Sequence, residues 1–387
     1  MKNYMINYGR QSIDKDDVKA VVDTLNSDLL TQGPKIAEFE SLLADYCGAK
    51  YAVVLSNGTA ALHLANIAIG VQRKTKVLTS PISFVATSNS VIYSGGSPVF
   101  CDIDEKTFNI SPSEIKKIVA MNPDVSGIIP VHLGGLIADM ESISRIANEN
   151  GMWVIEDACH ALGGQWTDSE GVERKVGDCS FSDLTIFSFH PVKHITTGEG
   201  GAITTNNEKL FNKIIELRSH GITRDAGSMR ENHGGWYYEM QSLGYNYRIT
   251  DFQAALGVSQ LAKSDKWSER RLELVCRYDH AFKDVSEISS QSHPSNQKPC
   301  YHLYIVWAMR RKGLYEFLRE KQIYTQVHYI PIHLQPYYQD EFGYKTGDYP
   351  HAEEYYEHAL SLPLFPTMTN DDQNHVITAV KGFYSNA

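Results

Sequence analysis

The chain has 387 residues, 42% of them apolar and 21% charged, with a formal net charge of −10. That length exceeds what one hydrophobic core usually serves and implies two domains, while the acidic balance argues against a nucleic-acid footprint, which needs a basic face. No run approaches the roughly 20 consecutive apolar residues that cross a bilayer, and the first 17 residues carry Asp14, Asp16 and Asp17 where a leader would be basic and then apolar, so a cytoplasmic protein is expected.

The expected elements, in chain order, alternate short apolar runs with helical patterns up to about residue 250. This is the pattern of an α/β sheet with covering helices. Expected strands are Tyr51–Ser56, Lys76–Thr79, Pro98–Asp102, Gly127–Val131, Trp153–Asp157, Leu184–Phe189 and Gly201–Thr205. Helical patterns between them cover Ala60–Ala68, Ser113–Val119, Met140–Asn150 and Glu208–Leu217, with Ser111-Pro112-Ser113 reading as an N-cap. One long helix is expected from Phe252 past Trp267 to Phe282, and Ser286–Pro299, rich in Ser, Pro and Gln, reads as a surface loop. The division implied is a large domain over residues 1–250, then a linking helix and small C-terminal domain over 251–387. The six cysteines are scattered without a C-x-x-C pair, which suggests neither a disulfide framework nor a metal site.

Three segments carry chemistry. In Phe187-Ser188-Phe189-His190-Pro191-Val192-Lys193, a strand ends and Pro191 breaks its continuation, leaving Lys193 on an irregular segment beyond the sheet. A lone lysine is most often a solvated surface group. The Thr196-Thr197-Gly198-Glu199-Gly200-Gly201 run behind it suits close backbone approach to a ligand instead. An amine of ordinary pKa about 10.4 must lose its proton to attack a carbonyl, which burial or a cationic neighbour would bring about. In Trp153-Val154-Ile155-Glu156-Asp157-Ala158-Cys159-His160, an apolar strand delivers Asp157 to its carboxyl end. There it could cap a following helix or pair with a protonated ring nitrogen. In Leu55-Ser56-Asn57-Gly58-Thr59-Ala60, a strand passes through a polar turn into a helix whose start is a ready anion site.

Weaker signals each keep a plain alternative. Phe84 is a core aromatic or a lid on a planar cofactor, and His63 reads as core. Leu243–Asp251 is a loop entering a helix capped by Thr250 or Asp251, and Gln326–Pro331 is an edge strand. The pairs Glu353-Glu354 and Asp371-Asp372 read as solvated surface.

Taken together, Ser56-Asn57-Gly58-Thr59-Ala60-Ala61-Leu62, Glu156-Asp157-Ala158-x-His160-Ala161-x-Gly163, Phe187 to Lys193, Gly198-Glu199-Gly200-Gly201 and Gly244-Tyr245-Asn246-Tyr247-Arg248 stand in the order and spacing of one family. They resemble the DegT/StrS sugar aminotransferases, over nearly the whole chain. The resemblance implies an α/β protein of the pyridoxal-phosphate-dependent (PLP) transferase fold type I. Its large domain would hold a mostly parallel mixed sheet, beside a smaller C-terminal α+β domain. It implies pyridoxal 5′-phosphate as cofactor, carried by Lys193 as a Schiff base. Asp157 would face the pyridine nitrogen, His160 would lie near the cofactor hydroxyl, and Phe84 would stack on the ring. Gly58, Thr59 and Ser188 would hold the phosphate, with Asn246 reaching it from a neighbouring subunit of a homodimer. Tyr8, Asp28, Leu29, Leu30, Thr31, His328, Tyr329, Ile330, Pro331 and Tyr338 would line the sugar-nucleotide site.

Within the family, the Phe-Ser-Phe-His-Pro-Val-Lys run, His160, and Gln326-Val327-His328-Tyr329-x-Pro331 are most similar to the branch serving pseudaminic acid biosynthesis. That branch uses L-glutamate, leaving 2-oxoglutarate, to aminate C4 of a UDP-linked 4-keto-6-deoxy N-acetyl hexosamine. Asn57-Gly58 and His132-Leu133-Gly134-Gly135 depart from it, where it usually has Ser-Ala and an aromatic-Ala-Gly. Both departures fit the broader family and bear on the sugar, not on the reaction. Other nucleotide keto sugars therefore stay open, as does a same-fold dehydratase, although that branch carries His where this chain has Lys193. A non-catalytic regulator is the remaining reading, and the acidic charge disfavours it.

Overall fold

The computed structural model describes residues 5–385; the first four and last two residues of the expected domains lie outside it. A seven-stranded sheet forms the centre of the large domain, ordered Tyr51–Leu55, Gly201–Thr205, Leu184–Ser188, Trp153–Asp157, Val125–Ile129, Lys76–Thr79, Ser97–Phe100. Only Gly201–Thr205 runs antiparallel to its neighbours, so the sheet is mixed and mostly parallel. Its strands are apolar on both faces because helices cover both. Val54, Val154, Phe187 and Ala202 point into one layer with Phe39 and Leu43. Their neighbours Val53, Leu55, Ile155, Ile186 and Ile203 point into the other, against Leu62 and Leu64. The period-two alternation of side chains places each set.

The small domain is an antiparallel three-stranded sheet, Ile288–Ser290, Tyr304–Ala308 and Ala359–Leu362. Helices Ser264–Phe282, Arg311–Glu320 and Asn370–Ser385 supply Leu274, Tyr278, Leu314, Leu318, Val376 and Val380 to its core. The amino-terminal segment joins this region: Ile6 pairs with Ile323, and the Leu364 N–H donates to the Tyr8 carbonyl at 2.9 Å. Tyr8 is thereby held beside the cavity described below.

Several expectations shift. The strand Pro98–Asp102 lies one to two residues earlier, at Ser97–Phe100, and Gly127–Val131 likewise at Val125–Ile129. The long helix is two, Asp251–Leu261 and Ser264–Phe282. They part at Ala262–Lys263, where the Lys263 ammonium turns aside to pair with Asp14 at 2.5 Å and Asp17 at 3.0 Å. Residues 286–299 are not a free loop. Ile288–Ser290 is an edge strand, and the Gln291 side chain donates to the Thr107 carbonyl at 2.6 Å. Ser111 begins its helix with Pro112 in the first turn, yet its hydroxyl pairs with Ser113 at 2.9 Å and caps nothing. Glu353 is no free surface acid, since it accepts from His333 and from the Gly347 N–H. Asp372 likewise bonds the Thr369 N–H in a helix start.

Candidate active site

A cavity of about 970 Å³ opens at the carboxyl edge of the parallel strands, where open α/β sheets place ligands. Its walls include the turns that follow five strands, together with His302 and Gln326–Ile330 of the small domain. Each sheet turn delivers one chemical element.

Helix Gly58–Ile69 starts at one end of the cavity. Asn57 caps it by accepting the Ala60 N–H at 2.8 Å, and the Asn57 carbonyl takes the Ala61 N–H. The N–H groups of Gly58 and Thr59 stand outside the helix's own bonding, as first-turn donors do. Ser188 lies against this turn: a Cβ on Gly58 would come within 3.1 Å of the Ser188 Cβ. Two backbone donors, two hydroxyls and the helix dipole make an anion cradle with no side-chain cation.

Asp157 closes the strand Trp153–Asp157 and is 4% exposed. It caps no helix, because the chain continues through turns to Gln165. Its carboxylate accepts the Thr87 hydroxyl at 2.7 Å and the Cys159 N–H at 3.2 Å, and Thr87 is itself bonded to Ser83 at 2.7 Å. Behind it, buried Glu156 accepts from His132, Thr185 and Ser182. The strand end is therefore fixed on both faces.

Lys193 lies across the same cavity, and desolvation holds its amine below the usual lysine range, opposed by Cys159 and Asp157. Four histidines stand around it in neutral form. Burial, together with the Lys193 charge, pushes His160 and His302 well down and takes His194 and His328 to about 3. The Gly134 N–H donates to His160 Nδ1 at 3.3 Å, and His160 Nε2 meets the Tyr329 hydroxyl at 3.1 Å. His302 packs 4.6 Å from the His160 ring centre, and its buried Nδ1 has no partner.

Of the residues singled out from the sequence, Tyr8, Gly58, Thr59, Phe84, Asp157, His160, Ser188, Lys193, His328, Tyr329 and Ile330 line this one cavity. Phe84 is 58% exposed there, its ring 6.0 Å from Tyr329. The remaining candidates sit elsewhere in the single chain. Asp28, Leu29, Leu30 and Thr31 are exposed beside the Thr31–Thr250 bridge, and Asn246 is bridged to Ser219. Tyr338 is buried against Ser88 and Asn89, and Pro331 precedes a short turn of helix. Of the glycines behind Lys193, Gly201 serves the protein's own packing: a Cβ there would lie 2.5 Å from the Asn57 carbonyl carbon. His63 is 6% exposed, as a core residue would be, yet it also borders the cavity and bonds Tyr247 at 3.2 Å. Thr87 and His302 went unread in the sequence, because only the fold brings them to Asp157 and His160.

An anion cradle, a buried carboxylate and a desolvated lysine in one cavity fit a phosphorylated, cationic heterocycle bearing a carbonyl. The model of the DegT/DnrJ/EryC1/StrS aminotransferase family matches residues 11–381, and the chain belongs to that family. It is 39% identical to the spore coat polysaccharide biosynthesis protein SpsC of Bacillus subtilis, over 100% of this chain and 99% of that one. It is 38% identical to a UDP-4-amino-4,6-dideoxy-N-acetyl-beta-L-altrosamine transaminase of Campylobacter jejuni, over 96% of each. Among solved structures, Helicobacter pylori PseC, an aminotransferase of pseudoaminic acid biosynthesis, superposes with a TM-score of 0.90 at 31% identity, covering 99% of this chain and all of that one. Streptococcus pneumoniae Spr1654 in its PLP form does so at 0.90 and 28% identity, covering 99% of each. The chain is thus a sugar aminotransferase of the fold these proteins share, and its cofactor is pyridoxal 5′-phosphate.

Proposed function

We propose that this enzyme moves the amino group of L-glutamate to C4 of a UDP-linked 4-keto-6-deoxy N-acetyl hexosamine, giving a 4-amino-4,6-dideoxy sugar. We place it in the cytoplasm, as a homodimer. The observation that carries the reading is Lys193, desolvated and facing Asp157 across a cavity whose other end is the Gly58–Thr59–Ser188 cradle. The sequence likeness to the Campylobacter transaminase supports the choice of sugar.

Bound there, the cofactor supplies a carbonyl that accepts an amino group from one substrate and yields it to the next, its ring acting as an electron sink. Gly58, Thr59 and Ser188 would take its phosphate, and Phe84 one face of its ring. Asp157, held by Thr87 and the Cys159 N–H, would pair with the ring nitrogen and favour its protonated form. The Lys193 amine would be the base that takes the proton from the glutamate carbon. It returns a proton to the sugar carbon in the second half. Burial, which lowers the amine's pKa, favours the free base this role needs. The buried histidines are neutral, so they set no competing charge beside it.

The test is a two-step assay. Glutamate added to the yellow holoenzyme should bleach the visible band, and a UDP-4-keto-6-deoxy sugar should then restore it, with the C4 amine seen by NMR of the product. Lys193→Ala should lower turnover by about 10²–10⁴-fold or more and leave borohydride nothing to trap at that position. A holoenzyme whose band ignores glutamate would exclude amine transfer. A panel of dTDP- and UDP-keto sugars in which another sugar is preferred would replace the substrate and keep the reaction.

A further inference from the structure

We infer that a small cavity behind Lys193 holds a single halide-sized anion, chloride in ordinary solution, bound by the buried guanidinium of Arg271. The site is separate from the amine-transfer chemistry, and its test needs no substrate.

The argument begins with a charge that has no counter-charge. Arg271 lies on helix Ser264–Phe282 and is 1% exposed. Its Nη1 donates to the carbonyls of His302 at 3.3 Å and Leu364 at 3.0 Å, while its buried Nε has no partner. Desolvation lowers its pKa to about 10, which still leaves the guanidinium charged at neutral pH. Among the described residues no carboxylate is paired with it. The one group that favours its charge is Cys300, and burial pushes that thiol up to about 11, so it stays neutral. Peptide carbonyls satisfy hydrogen bonds but bring no net charge. A buried ion without a counter-ion is strongly unfavourable, and native folds pair such charges.

The counter-ion has a place. Arg271 borders a cavity of about 10 Å³, lined also by Arg10, Lys193, Thr196, Gln260 and Trp267. Arg10, Lys193 and Arg271 can each carry positive charge there, and no Asp or Glu lines the space, in a chain of net charge −10. The polar walls are already paired. The Gln260 amide accepts the Thr196 N–H at 3.2 Å and donates to the Ser12 carbonyl at 2.9 Å. His194 Nε2 gives its proton to the Cys300 carbonyl at 2.9 Å. Arg271 Nε is left as the unused buried donor.

Size selects the ion. Such a volume takes about one water-sized sphere, so phosphate, sulfate and carboxylates are too large and a one-atom anion fits. Water could meet Nε, but it would leave the charge unmatched. The ion also has a structural task. It ties helix Ser264–Phe282 to the Pro191–Thr196 turn that carries Lys193, and both to the amino-terminal segment at Arg10.

Thermal unfolding of the holoenzyme, followed by circular dichroism, tests this. As chloride replaces gluconate at constant ionic strength, the midpoint should climb by about 2 °C or more and then saturate. Bromide should substitute for chloride, and sulfate should not. Bromide-soaked crystals should show an anomalous peak against Arg271 Nε. Arg271→Gln keeps an amide donor and removes the charge, so its midpoint should be the same in chloride and in gluconate. Should R271Q fail to fold, the anion series and the bromide peak in the parent enzyme still decide. A peak without a chloride-dependent midpoint would mark an adventitious ion only and overturn the inference. A cavity that holds only water in bromide would do the same, as would a chloride effect that persists unchanged in R271Q.

Discussion

Lys193 and Asp157 are opposed charges whose coupling can be measured in the apoenzyme. Burial lowers the lysine amine, and Asp157 works against it by favouring the ammonium form. The sign follows. Asp157→Asn removes that support, so the Lys193 amine should lose its proton at a still lower pH. The profile to record is the rate of pyridoxal phosphate capture against pH, trapped with borohydride. The midpoint should lie below the ordinary lysine value of about 10.4 in the parent and lower again in Asp157→Asn, while holoenzyme turnover falls through loss of the ring-nitrogen partner. A midpoint that rises in the variant would mean the carboxylate does not face the amine. At this scale the sequence was informative wherever a residue ends a strand, because a strand end fixes where the next side chain stands. Asp157 could be placed for that reason, while Lys193 could be placed only beyond the strand's end and took its role from the family resemblance. His302 could not be placed, since it reaches the cavity from the small domain, 109 positions after Lys193 in the numbering.

Elements explain why the cradle is so closely specified. Strand Gly201–Thr205 runs antiparallel beside Tyr51–Leu55, pairing Gly201 with Leu55 at the point where the chain turns into helix Gly58–Ile69. A methyl group on Gly201 would meet the Asn57 carbonyl at 2.5 Å and the Gly58 nitrogen at 2.6 Å, all backbone atoms with nowhere to move. Gly201→Ala should therefore push the turn outward, costing about 1–3 kcal/mol as overpacked sites do, and should weaken cofactor binding. Urea unfolding of the apoenzyme measures the first effect, and cofactor titration by fluorescence the second. Unchanged affinity would show that the turn's position does not set the cradle. The seven strands of the central sheet and four helices of the large domain could be read to within a residue or two because their apolar periods are unambiguous, whereas helices Lys15–Leu25, Pro34–Cys47 and Ala86–Tyr93 went unread. The break at Ala262–Lys263 could not, since it depends on Lys263 finding Asp14 and Asp17 almost 250 positions away. The edge strand Ile288–Ser290 escaped for a similar reason. Its serines read as loop, and only pairing with Val306, Trp307 and Ala308 makes it a strand.

On the proposed function the molecule as a whole meets an electrostatic problem: an acidic chain would hold a nucleoside diphosphate sugar and a dicarboxylic amino acid. Among the described residues lining the cavity, Lys193 is the only lysine or arginine. Backbone donors can serve one phosphate at a helix start, but not two further anions. In the homodimer proposed above, Asn246 and the exposed Asp28–Thr31 segment would meet the cavity of the partner subunit and add uncharged donors to it. The surface is consistent with such burial. Val18, Val22 and Leu25 form an exposed stripe on helix Lys15–Leu25, continued by Leu29 and Leu30. The decisive experiment mixes two inactive variants. Lys193→Ala damages a subunit's own site, and Asn246→Asp, which sets a like charge against a phosphate, would damage its partner's. If Asn246 acts across the interface, a mixed dimer carries both lesions in one site and none in the other. Random reassociation makes about half the dimers mixed, so roughly a quarter of parental activity should return. If Asn246 acts within its own chain, every site of every dimer keeps one lesion, and mixing should recover nothing.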